Sequence, residues 1–474
     1  MAAPEIIPDT IAAVSTPPGR GGIGIVRLSG PQAASIAGEL VRLRHPLEHA
    51  RARLADVLDE DSAPEGARID EAVVTFFAAP NSYTAEDLVE ISAHGSPVVL
   101  ELLLSRALRL GARLASPGEF TERAFLSGKL DLTQAEAVRD LIAAQTLTQA
   151  RLAASQMGGA LSRRVEPVKH VLVELVALLE AGIDFSEDDI DVAPQAEIAR
   201  RIGALTPPLT ALETTFARGR IVHDGLTLAI VGRPNAGKSS LFNCLVERNR
   251  AIVTATPGTT RDTVAERISL DGIPLELVDT AGLRDAAEEV EKLGIARSRE
   301  ALADAALVVL VLDATVPLND EEHRLLVAIE NRPALVAVNK SDLVEAGQLL
   351  PEYAEMLGIP CDSHFAKRWE SIPALATSAQ TGQGIPALRE RIVALATGGA
   401  SAEPAMLTSL RHQQAVAAAL AALNDAAKAN AGAVPHEMIL LDLYRALGAL
   451  DSLTGQTITD DILNLIFSTF CIGK

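Results

Sequence analysis

The sequence predicts a multidomain chain in which α/β domains are combined with an all-α domain. Residues 1 to about 128 alternate short β-rich runs with helical stretches, a pattern that is typical of an α/β domain. Residues 129 to about 220, and the chain after residue 398, instead show long helical periodicity rich in alanine and leucine. In the intervening segment, apolar runs end in polar motifs. We therefore expect an N-terminal α/β domain, a discontinuous helical bundle and a further α/β domain inserted into that bundle.

The length of 474 residues is compatible with this division, because two to four domains are expected for such a chain. The inserted domain should begin near Gly225 and end near the break at Gly398-Gly399-Ala400. The expected boundaries are 1–128 for the N-terminal domain, 129–220 and 399–474 for the two helical parts, and 221–398 for the inserted domain.

The N-terminal domain has four expected strands, TIAAV, GIGIVRLS, EAVVTFF and DLVEISAH, and one clear helix, SPVVLELLLSRALRLGA. Three polar clusters interrupt them, at residues 17–22 (PPGRGG), 81–87 (NSYTAED) and 117–121 (PGEFT). Taken singly, they are best interpreted as a turn, a helix cap and a capping sequence.

The helical domain is predicted from five segments. They are LTQAEAVRDLIAAQTLTQARLAASQ and EPVKHVLVELVALLEA before the insertion, and SLRHQQAVAAALAALNDAAKA, EMILLDLYRALGALDSL and TDDILNLIFSTF after it.

Composition excludes several classes of protein. The formal net charge of -20 argues against a broadly basic nucleic-acid-binding surface, although a local basic groove is compatible with it. Cys244, Cys361 and Cys471 are too few for a disulfide framework and lack zinc-site spacing, which fits a reducing compartment. No apolar run reaches the ~20 residues of a membrane span, and the N-terminus lacks the features of a signal peptide. We expect a cytoplasmic protein without membrane association.

The segment from Gly232 to Ser239 follows the pattern G-x-x-x-x-G-K-S, between the apolar run LTLAIV and the helix-like SLFNCLVE. This arrangement is typical of a phosphate-binding loop, in which backbone N–H groups at a helix N-terminus hold phosphates. Gly237 allows close approach of the backbone, Lys238 reaches the outer phosphates, and the Ser239 hydroxyl is offered to magnesium. A chance glycine turn is the alternative, and the flanking strand and helix patterns disfavour it.

Three further motifs indicate guanine-nucleotide hydrolysis. Asp279, which begins D-T-A-G after the apolar PLELV, can hold magnesium through water, and Gly282 can meet the γ-phosphate. Asp342, which ends N-K-S-D after ALVAV, can accept from both N–H donors on the guanine edge, a donor pair that adenine lacks. Ser378-Ala379 fits the loop that closes on the base. Each motif is weak alone, but their order and spacing predict a GTPase.

With GRPNAGKSS, GTTRD at 258–262, DTAGLR at 279–284, NKSD at 339–342 and the C-terminal CIGK at 471–474, the chain closely resembles the MnmE (TrmE) family of tRNA uridine-modification GTPases. PPGRGGIGIVRLSG, PNSYTAEDLVEISAHG and PGEFTERAFLSGKLDL also look like that family's N-terminal motifs, so the resemblance covers the whole chain. Ribosome-assembly GTPases can share GTTRD, but they lack this N-terminal domain and the CIGK end. A C-terminal Cys-x-x-x could also indicate prenylation, against which the last two residues, Gly and Lys, argue.

The resemblance implies a set of GTP-binding residues. They are Asn235, Ala236, Gly237, Lys238, Ser239, Ser240, Thr254, Ala255, Thr256, Pro257, Gly258, Thr259, Thr260, Asp279, Thr280, Ala281, Gly282, Asn339, Lys340, Ser341, Asp342, Ser378, Ala379 and Gln380. Leu283 follows D-T-A-G where Ras-like proteins have the glutamine that orients water, so another group must do so. By resemblance that catalytic residue is Glu291, acting through a bridging water. On sequence alone, a solvated acidic face beside Glu288 and Glu289 is the stronger interpretation.

The resemblance also implies metal ions at the phosphates. Magnesium would be held by Ser239 and Thr260. Potassium would supply the positive charge that an arginine finger provides elsewhere, on hard oxygen ligands. Its ligands would be Asn235, Thr254, Thr256 and Thr259. Pro257 restricts Thr256 to extended geometry, which could tune or disturb this loop.

The N-terminal domain, by the same resemblance, forms a homodimer and binds 5,10-methylene- or 5-formyl-tetrahydrofolate. The residues that contact the folate would be Arg27, Glu90, Lys129 and Lys474. A carboxylate suits the N–H donors of the pterin, and cations suit the glutamate tail. Cys471 would lie beside this site, in a chemical or a packing role. The implied partner is the FAD-dependent MnmG (GidA), in a heterotetramer that installs an aminomethyl or carboxymethylaminomethyl group on C5 of the wobble uridine of certain tRNAs.

Two other classes of protein are compatible with parts of the sequence. One is a non-catalytic switch that binds a ribosome or regulator, which would have no use for a folate. The other is a folate enzyme with a degenerate GTPase, against which the intact phosphate, magnesium and guanine motifs argue.

Overall fold

A computed structural model describes residues 9–59, 67–184, 194–246, 265–279, 305–345, 348–359, 372–398, 405–457 and 459–474. The chain divides into two compact units. One comprises Met1–Arg139, Met157–Glu166 and Leu447–Lys474, and the other comprises Asp140–Gln156 and Pro167–Ala446. The described helices include none that is long and apolar enough to cross a membrane.

In the first unit, the described residues form a seven-stranded sheet in the order β3-β4-β5-β6-β2-β1-β7. Its strands are β1 (Ile11–Val14), β2 (Gly21–Ser29), β3 (Val41–Leu43), β4 (Arg51–Asp59), β5 (Ala67–Phe77), β6 (Leu88–Gly95) and β7 (Arg113–Leu114). Helices α1 (Ala33–Leu40) and α2 (Pro97–Arg109) bury apolar residues in one core with the sheet. The antiparallel pairing of β2 with β6 sets Arg27 directly opposite Glu90. The predicted α/β domain is thereby confirmed, and β3, β4 and β7 are strands that the sequence analysis did not identify.

Among the residues described before the inserted domain, six helices follow: α3 (Glu119–Leu126), α4 (Leu132–Ala143), α5 (Leu147–Met157), α6 (Ala160–Asp184), α7 (Gln195–Glu213) and α8 (Phe216–Asp224). The predicted helical run from 132 to 156 is divided into α4 and α5. Thr146 stops it, because its hydroxyl accepts from Gln149 N at 3.1 Å while Gln149 Oε1 accepts from Thr146 N at 3.1 Å. This reciprocal capping box starts a new helix.

The second unit contains a six-stranded sheet, again among described residues, in the order β13-β12-β11-β8-β10-β9. Its strands are β8 (Leu226–Val231), β9 (Ala265–Leu270), β10 (Ile273–Asp279), β11 (Leu307–Asp313), β12 (Ala334–Asn339) and β13 (Ala374–Ala376). Only β9 pairs antiparallel to its neighbour, whereas β8, β10, β11, β12 and β13 are parallel.

Helices cover both faces of this sheet: α9 (Lys238–Val246), α10 (Asp320–Ile329), α11 (Pro351–Met356) and α12 (Ile385–Thr397). Residues 307, 309 and 311 of β11 share a core with α9 and α12, while 308, 310 and 312 share one with α10 and α11. A strand buried on both faces is apolar throughout, which explains the run LVVLVL. Gly225, the expected start of the insertion, ends α8 with a φ of 83° that favours glycine.

Three described helices complete the chain: α13 (Leu410–Ala431), α14 (His436–Thr454) and α15 (Asp460–Ser468). They correspond to the three helical segments predicted after the insertion. The combination of α/β sheets with an all-α part, as predicted, is confirmed, while the exact domain boundaries stay predictions.

Candidate functional site

The predicted nucleotide motifs meet at one edge of the six-stranded sheet. The parallel strands β8, β10, β11 and β12 all have their carboxyl ends there, and they lead into or end at Gly232, Asp279, Asp313 and Asn339. Strand β8 lies in the interior of the sheet, with β10 on one side and β11 on the other. Such a switch point at the carboxyl edge is where open α/β sheets bind ligands.

The predicted phosphate loop leads from β8 into α9. Gly237 has a φ of 96°, and a Cβ atom there would lie 2.2 Å from Asn339 Nδ2, so only glycine fits. The Lys238 ammonium is buried in the loop, where it donates to the carbonyl oxygens of Gly232 at 2.8 Å and Arg233 at 2.9 Å. Asn235 is exposed to solvent, and its backbone has the left-handed conformation, with a φ of 62°. The loop therefore presents a cation and the open N-terminus of α9, as an anion site requires.

One buried side chain joins three of the motifs. Asn339, at the end of β12, donates through Nδ2 to the carbonyl oxygen of Ala236 in the phosphate loop at 2.9 Å. Its Oδ1 accepts from the backbone N–H of Ala379 at 3.1 Å. The phosphate loop, N-K-S-D and the Ser378-Ala379 loop are thus held in one arrangement.

The loops on the base side are also tied to each other. Ser341 donates to the carbonyl oxygen of Thr377 through its N–H at 3.1 Å and its hydroxyl at 2.9 Å. Ser378 is buried, and its hydroxyl accepts from Thr381 N at 3.1 Å. Asp342 lies in a short 3-10 turn, Ser341–Leu343, and is exposed, as is Gln380. The predicted base-recognition carboxylate thus lies on a surface held by fixed loops.

Asp313 is a residue that the sequence analysis missed. It ends β11 and is buried, and its carboxylate accepts from Lys340 Nζ at 2.6 Å and from the Thr315 hydroxyl at 2.6 Å. Burial works to raise the pKa of Asp313, but the hydrogen bonds from Lys340 and Thr315 outweigh burial, and the pKa lies below its ordinary value. The signal that could have found it is the one that marked Asp279, a carboxylate at the end of an apolar strand.

Of the two residues predicted to hold magnesium, Ser239 is exposed in the first turn of α9, and Thr260 lies outside the described residues. The backbone of Asp279 ends the strand that runs parallel beside β8. Among the described residues, no group of three or more His, Cys, Asp or Glu side chains could hold a metal ion. The positions outside the described residues are Thr254, Ala255, Thr256, Pro257, Gly258, Thr259, Thr260, Thr280, Ala281, Gly282 and Glu291.

The predicted folate residues lie in the first unit. Arg27 donates to Oε1 of Glu90 through Nη2 at 2.7 Å and Nε at 3.0 Å, while its Nη1 donates to the carbonyl oxygen of Gly473 at 3.3 Å. The guanidinium also lies 5.7 Å from the ring centre of Tyr83 and 5.5 Å from that of Phe120. The second oxygen of Glu90 accepts no hydrogen bond from the described residues.

The remaining residues predicted for this site flank the pair. Lys129 donates to the carbonyl oxygen of Ser82, which precedes Tyr83 in the chain. Burial raises the pKa of the Tyr83 hydroxyl above its ordinary value. Cys471 is exposed, and its carbonyl oxygen accepts from Gly118 N at 3.4 Å. Lys474 follows Gly473, whose carbonyl Arg27 contacts. The structure therefore brings Arg27 and Glu90 together with the C-terminal segment, and Lys129 is linked to them through the 82–83 segment.

Two of the N-terminal polar clusters have a structural role beside this site. Arg123 bonds to Glu86 of the 81–87 cluster at 3.1 Å, to Glu119 of the 117–121 cluster at 3.0 Å and to Asp9 at 2.5 Å. Burial works to raise the pKa of Glu119, but hydrogen bonds from Arg113 and Ser116 outweigh it and lower the pKa. These clusters therefore hold the first unit together through a charged network.

The sheet order, the phosphate loop and the strand-end motifs define this protein as a P-loop GTPase. The family model described as "MnmE helical domain" matches residues 132–471, and that described as "GTP-binding protein TrmE N-terminus" matches residues 10–129. The tRNA modification GTPase MnmE of Koribacter versatilis is 54% identical over 471 residues, 98% of this chain and 99% of that protein. That of Roseiflexus castenholzii is 41% identical over 480 residues, with coverage of 98% and 99%.

The chain belongs to the MnmE (TrmE) family of tRNA modification GTPases. It is a GTP-hydrolysing enzyme with a role in tRNA modification. Among solved structures, the G domain of the T. maritima FeoB iron transporter matches 36% of this chain and 98% of that chain, with 29% identity and a TM-score of 0.25.

Proposed function

We propose that this enzyme works with an FAD-dependent partner of the MnmG (GidA) kind to add a carboxymethylaminomethyl or aminomethyl group to C5 of the wobble uridine of certain tRNAs. A bound tetrahydrofolate, as the 5,10-methylene or 5-formyl form, supplies the one-carbon unit. The protein acts in the cytoplasm as a homodimer, joined through its N-terminal domain and associated with the partner in a heterotetramer.

The observation that carries this proposal is the Arg27–Glu90 pair. The pair is half-buried, and the Arg27 guanidinium lies near the rings of Tyr83 and Phe120. Arg27 also donates to a carbonyl 446 positions away in the chain, at Gly473. The second oxygen of Glu90 can accept a hydrogen bond from the N–H donors of a pterin, and the cations Lys129 and Lys474 can pair with the carboxylates of a glutamate tail. The residues present thus fit a folate, with a carboxylate at one end and cations available for the other.

On the nucleotide side, we propose that hydrolysis depends on potassium and magnesium. Potassium supplies positive charge at the phosphates, with Asn235 as its ligand in the phosphate loop, and Ser239 and Thr260 hold magnesium. Asp342 accepts from the guanine edge, and Glu291 orients the attacking water through a second water. Asn235 supports this proposal because it is exposed on the loop with its backbone in the left-handed region.

An equilibrium titration with 5-formyltetrahydrofolate tests the folate proposal. The wild-type protein should bind it, and Glu90→Gln should bind about tenfold or more weakly, because an amide loses the charged acceptor. Glu71→Gln is the matched control, since Glu71 lies on β5 of the same sheet and pairs with Arg44 at 3.2 Å. Absence of folate binding by the wild-type protein would instead favour a GTPase switch without modification chemistry.

A further inference from the structure

Asp313 lies between the phosphate loop and the base loop. Its strand pairing sets it directly beside Asn339, and its side chain is 8% exposed. Oδ2 accepts from Lys340 Nζ at 2.6 Å and lies 3.7 Å from Nη2 of Arg233. Oδ1 accepts from the N–H of Thr315 at 3.0 Å and from its hydroxyl at 2.6 Å. One carboxylate, oriented by Thr315, therefore faces a cation from each of the two nucleotide-binding loops.

The backbone of Lys340 is in an unfavourable conformation. Its φ of 62° and ψ of 28° place it in the left-handed region, where a side chain with a Cβ atom is strained. Such strain persists only where surrounding contacts enforce it. The ion pair with Asp313 is such a contact, because it fixes the far end of the Lys340 side chain.

We propose that Asp313 is a positioning residue for guanine specificity. By holding Lys340 in its left-handed conformation, it sets the direction of the turn Ser341–Leu343 and hence the placement of Asp342 against the base. This inference rests on the proposed contact of Asp342 with the guanine edge. Asp313 itself would touch no nucleotide and would act through Lys340.

The two cations near Asp313 respond differently to its loss. Arg233 keeps a second carboxylate, because its Nε lies 3.4 Å from Oε1 of the fully buried Glu322. The only ion pair that Lys340 makes with described residues is the one to Asp313. Neutralising Asp313 therefore releases the base loop while the phosphate loop keeps an ion pair.

The test compares affinities for GDP and IDP, measured by calorimetry on the full-length protein with magnesium. IDP lacks the exocyclic amino group of guanine, so the ratio of the two dissociation constants reports the contact to Asp342. In the wild type we expect GDP to bind about tenfold or more tightly than IDP, since IDP leaves one oxygen of Asp342 without its donor. Asp313→Asn should reduce this ratio about fivefold or more, with a smaller change in IDP affinity than in GDP affinity.

Three further variants make the result specific. Asp320→Asn changes an exposed carboxylate seven positions further along the chain and should leave both affinities unchanged. Thr315→Val removes one donor to Asp313 and should reduce the ratio to a smaller degree, in a variant whose fold is little disturbed. Asp313→Asn added to Lys340→Ala should change the ratio no further, because the two residues act through one contact.

Two results would overturn the proposal. One is an equal loss of GDP and IDP affinity in Asp313→Asn and no change in ratio for Thr315→Val, which would show that Asp313 only stabilises the domain. The other is a full additional loss of the ratio when Asp313→Asn is added to Lys340→Ala. A failure of the assignment of Asp342 to the base would look different. If Asp342 contacts the guanine edge, Asp342→Asn should prefer xanthosine diphosphate, because the amide offers a donor in place of an acceptor. A variant that still prefers GDP would show that this assignment is wrong.

Discussion

At the scale of single residues, the nucleotide site depends on a glycine in one loop and a side-chain amide in another. Gly237 leaves the space that the Asn339 amide occupies, and that amide bonds to Ala236 and Ala379. The sequence identified both residues by motif, but it gave no information about their contact, because they are 102 positions apart. The contact exists because β8 and β12 run parallel within one sheet, with their carboxyl ends at the same edge.

Gly237→Ala tests this arrangement. The added Cβ would lie 2.2 Å from Asn339 Nδ2 at a φ of 96°, so the amide must move and the loop must strain. We expect GDP affinity to fall about tenfold or more, since such backbone strain costs of order 1–3 kcal/mol. Calorimetry measures this loss.

Gly203→Ala is the control for Gly237→Ala. Gly203 lies inside α7, and a Cβ there meets nothing within 4 Å. This substitution should leave GDP affinity unchanged and stabilise the protein by about 0.5–1 kcal/mol, because alanine favours the helix. Equal GDP affinity in Gly237→Ala and the wild type would contradict the proposed loop packing.

At the scale of elements, the motifs found the strands that end in a recognised pattern and missed β11, which ends in Asp313 without one. The division between α4 and α5 was visible as T-x-x-Q at 146–149, although helical periodicity alone carried through it. The Arg27–Glu90 pair follows from the register of β2 with β6, which single-sequence patterns do not determine. The type of an element could thus be predicted where its periodicity was strong. The pairing of residues across neighbouring strands could not be predicted from the sequence.

His223 links α8 to α4 and gives a pH-dependent stability. Its Nε2 lies 3.2 Å from Oδ2 of Asp140 and its Nδ1 lies 2.7 Å from Oδ1 of Asp224. The hydrogen bond to Asp140 is the main cause that raises the pKa of His223 to about 9. The stabilisation is therefore fully present below the ordinary histidine pKa of about 6.5 and is lost as the pH rises through about 9.

Thermal unfolding from pH 6 to pH 10 tests this link in the wild type and in His223→Gln. The wild type should unfold at the higher temperature at pH 6, and the difference should disappear by pH 10, because glutamine does not titrate. His170→Gln is a suitable control, since His170 is exposed on α6. A difference between wild type and His223→Gln that stays constant across this range would show that His223 is not held as a cation.

At the scale of the whole molecule, we propose that one chain combines a GTPase with a one-carbon chemistry. The C-terminal segment returns to the first unit, where the Gly473 carbonyl accepts from Ser15 at 3.0 Å and from Arg27 at 3.3 Å. Such a long-range contact could not be derived from periodicity, and only the family resemblance pointed to it. By the same resemblance, we expect the two GTPase domains of a dimer to meet face to face during hydrolysis.

Potassium dependence is the prediction that belongs to the dimer. Hydrolysis should be faster in potassium than in sodium at equal ionic strength, because the smaller ion fits the same oxygens poorly. Asn235→Gly keeps the left-handed backbone but removes the ligand, so it should lose this stimulation while GDP still binds. Spin labels on the two GTPase domains, with GDP and aluminium fluoride, should approach in the wild type but not in the variant. Equal rates in both salts would refute the potassium site.

We propose that this chain supports modification of the wobble uridine in tRNA. Mass spectrometry of tRNA nucleosides from cells lacking the protein tests it most directly. Carboxymethylaminomethyl- and aminomethyl-uridine derivatives should disappear from these cells, return with the wild-type protein and stay absent with Glu90→Gln, while Glu71→Gln restores them. An unchanged nucleoside profile in cells without the protein would show that the chain has no part in modifying this uridine.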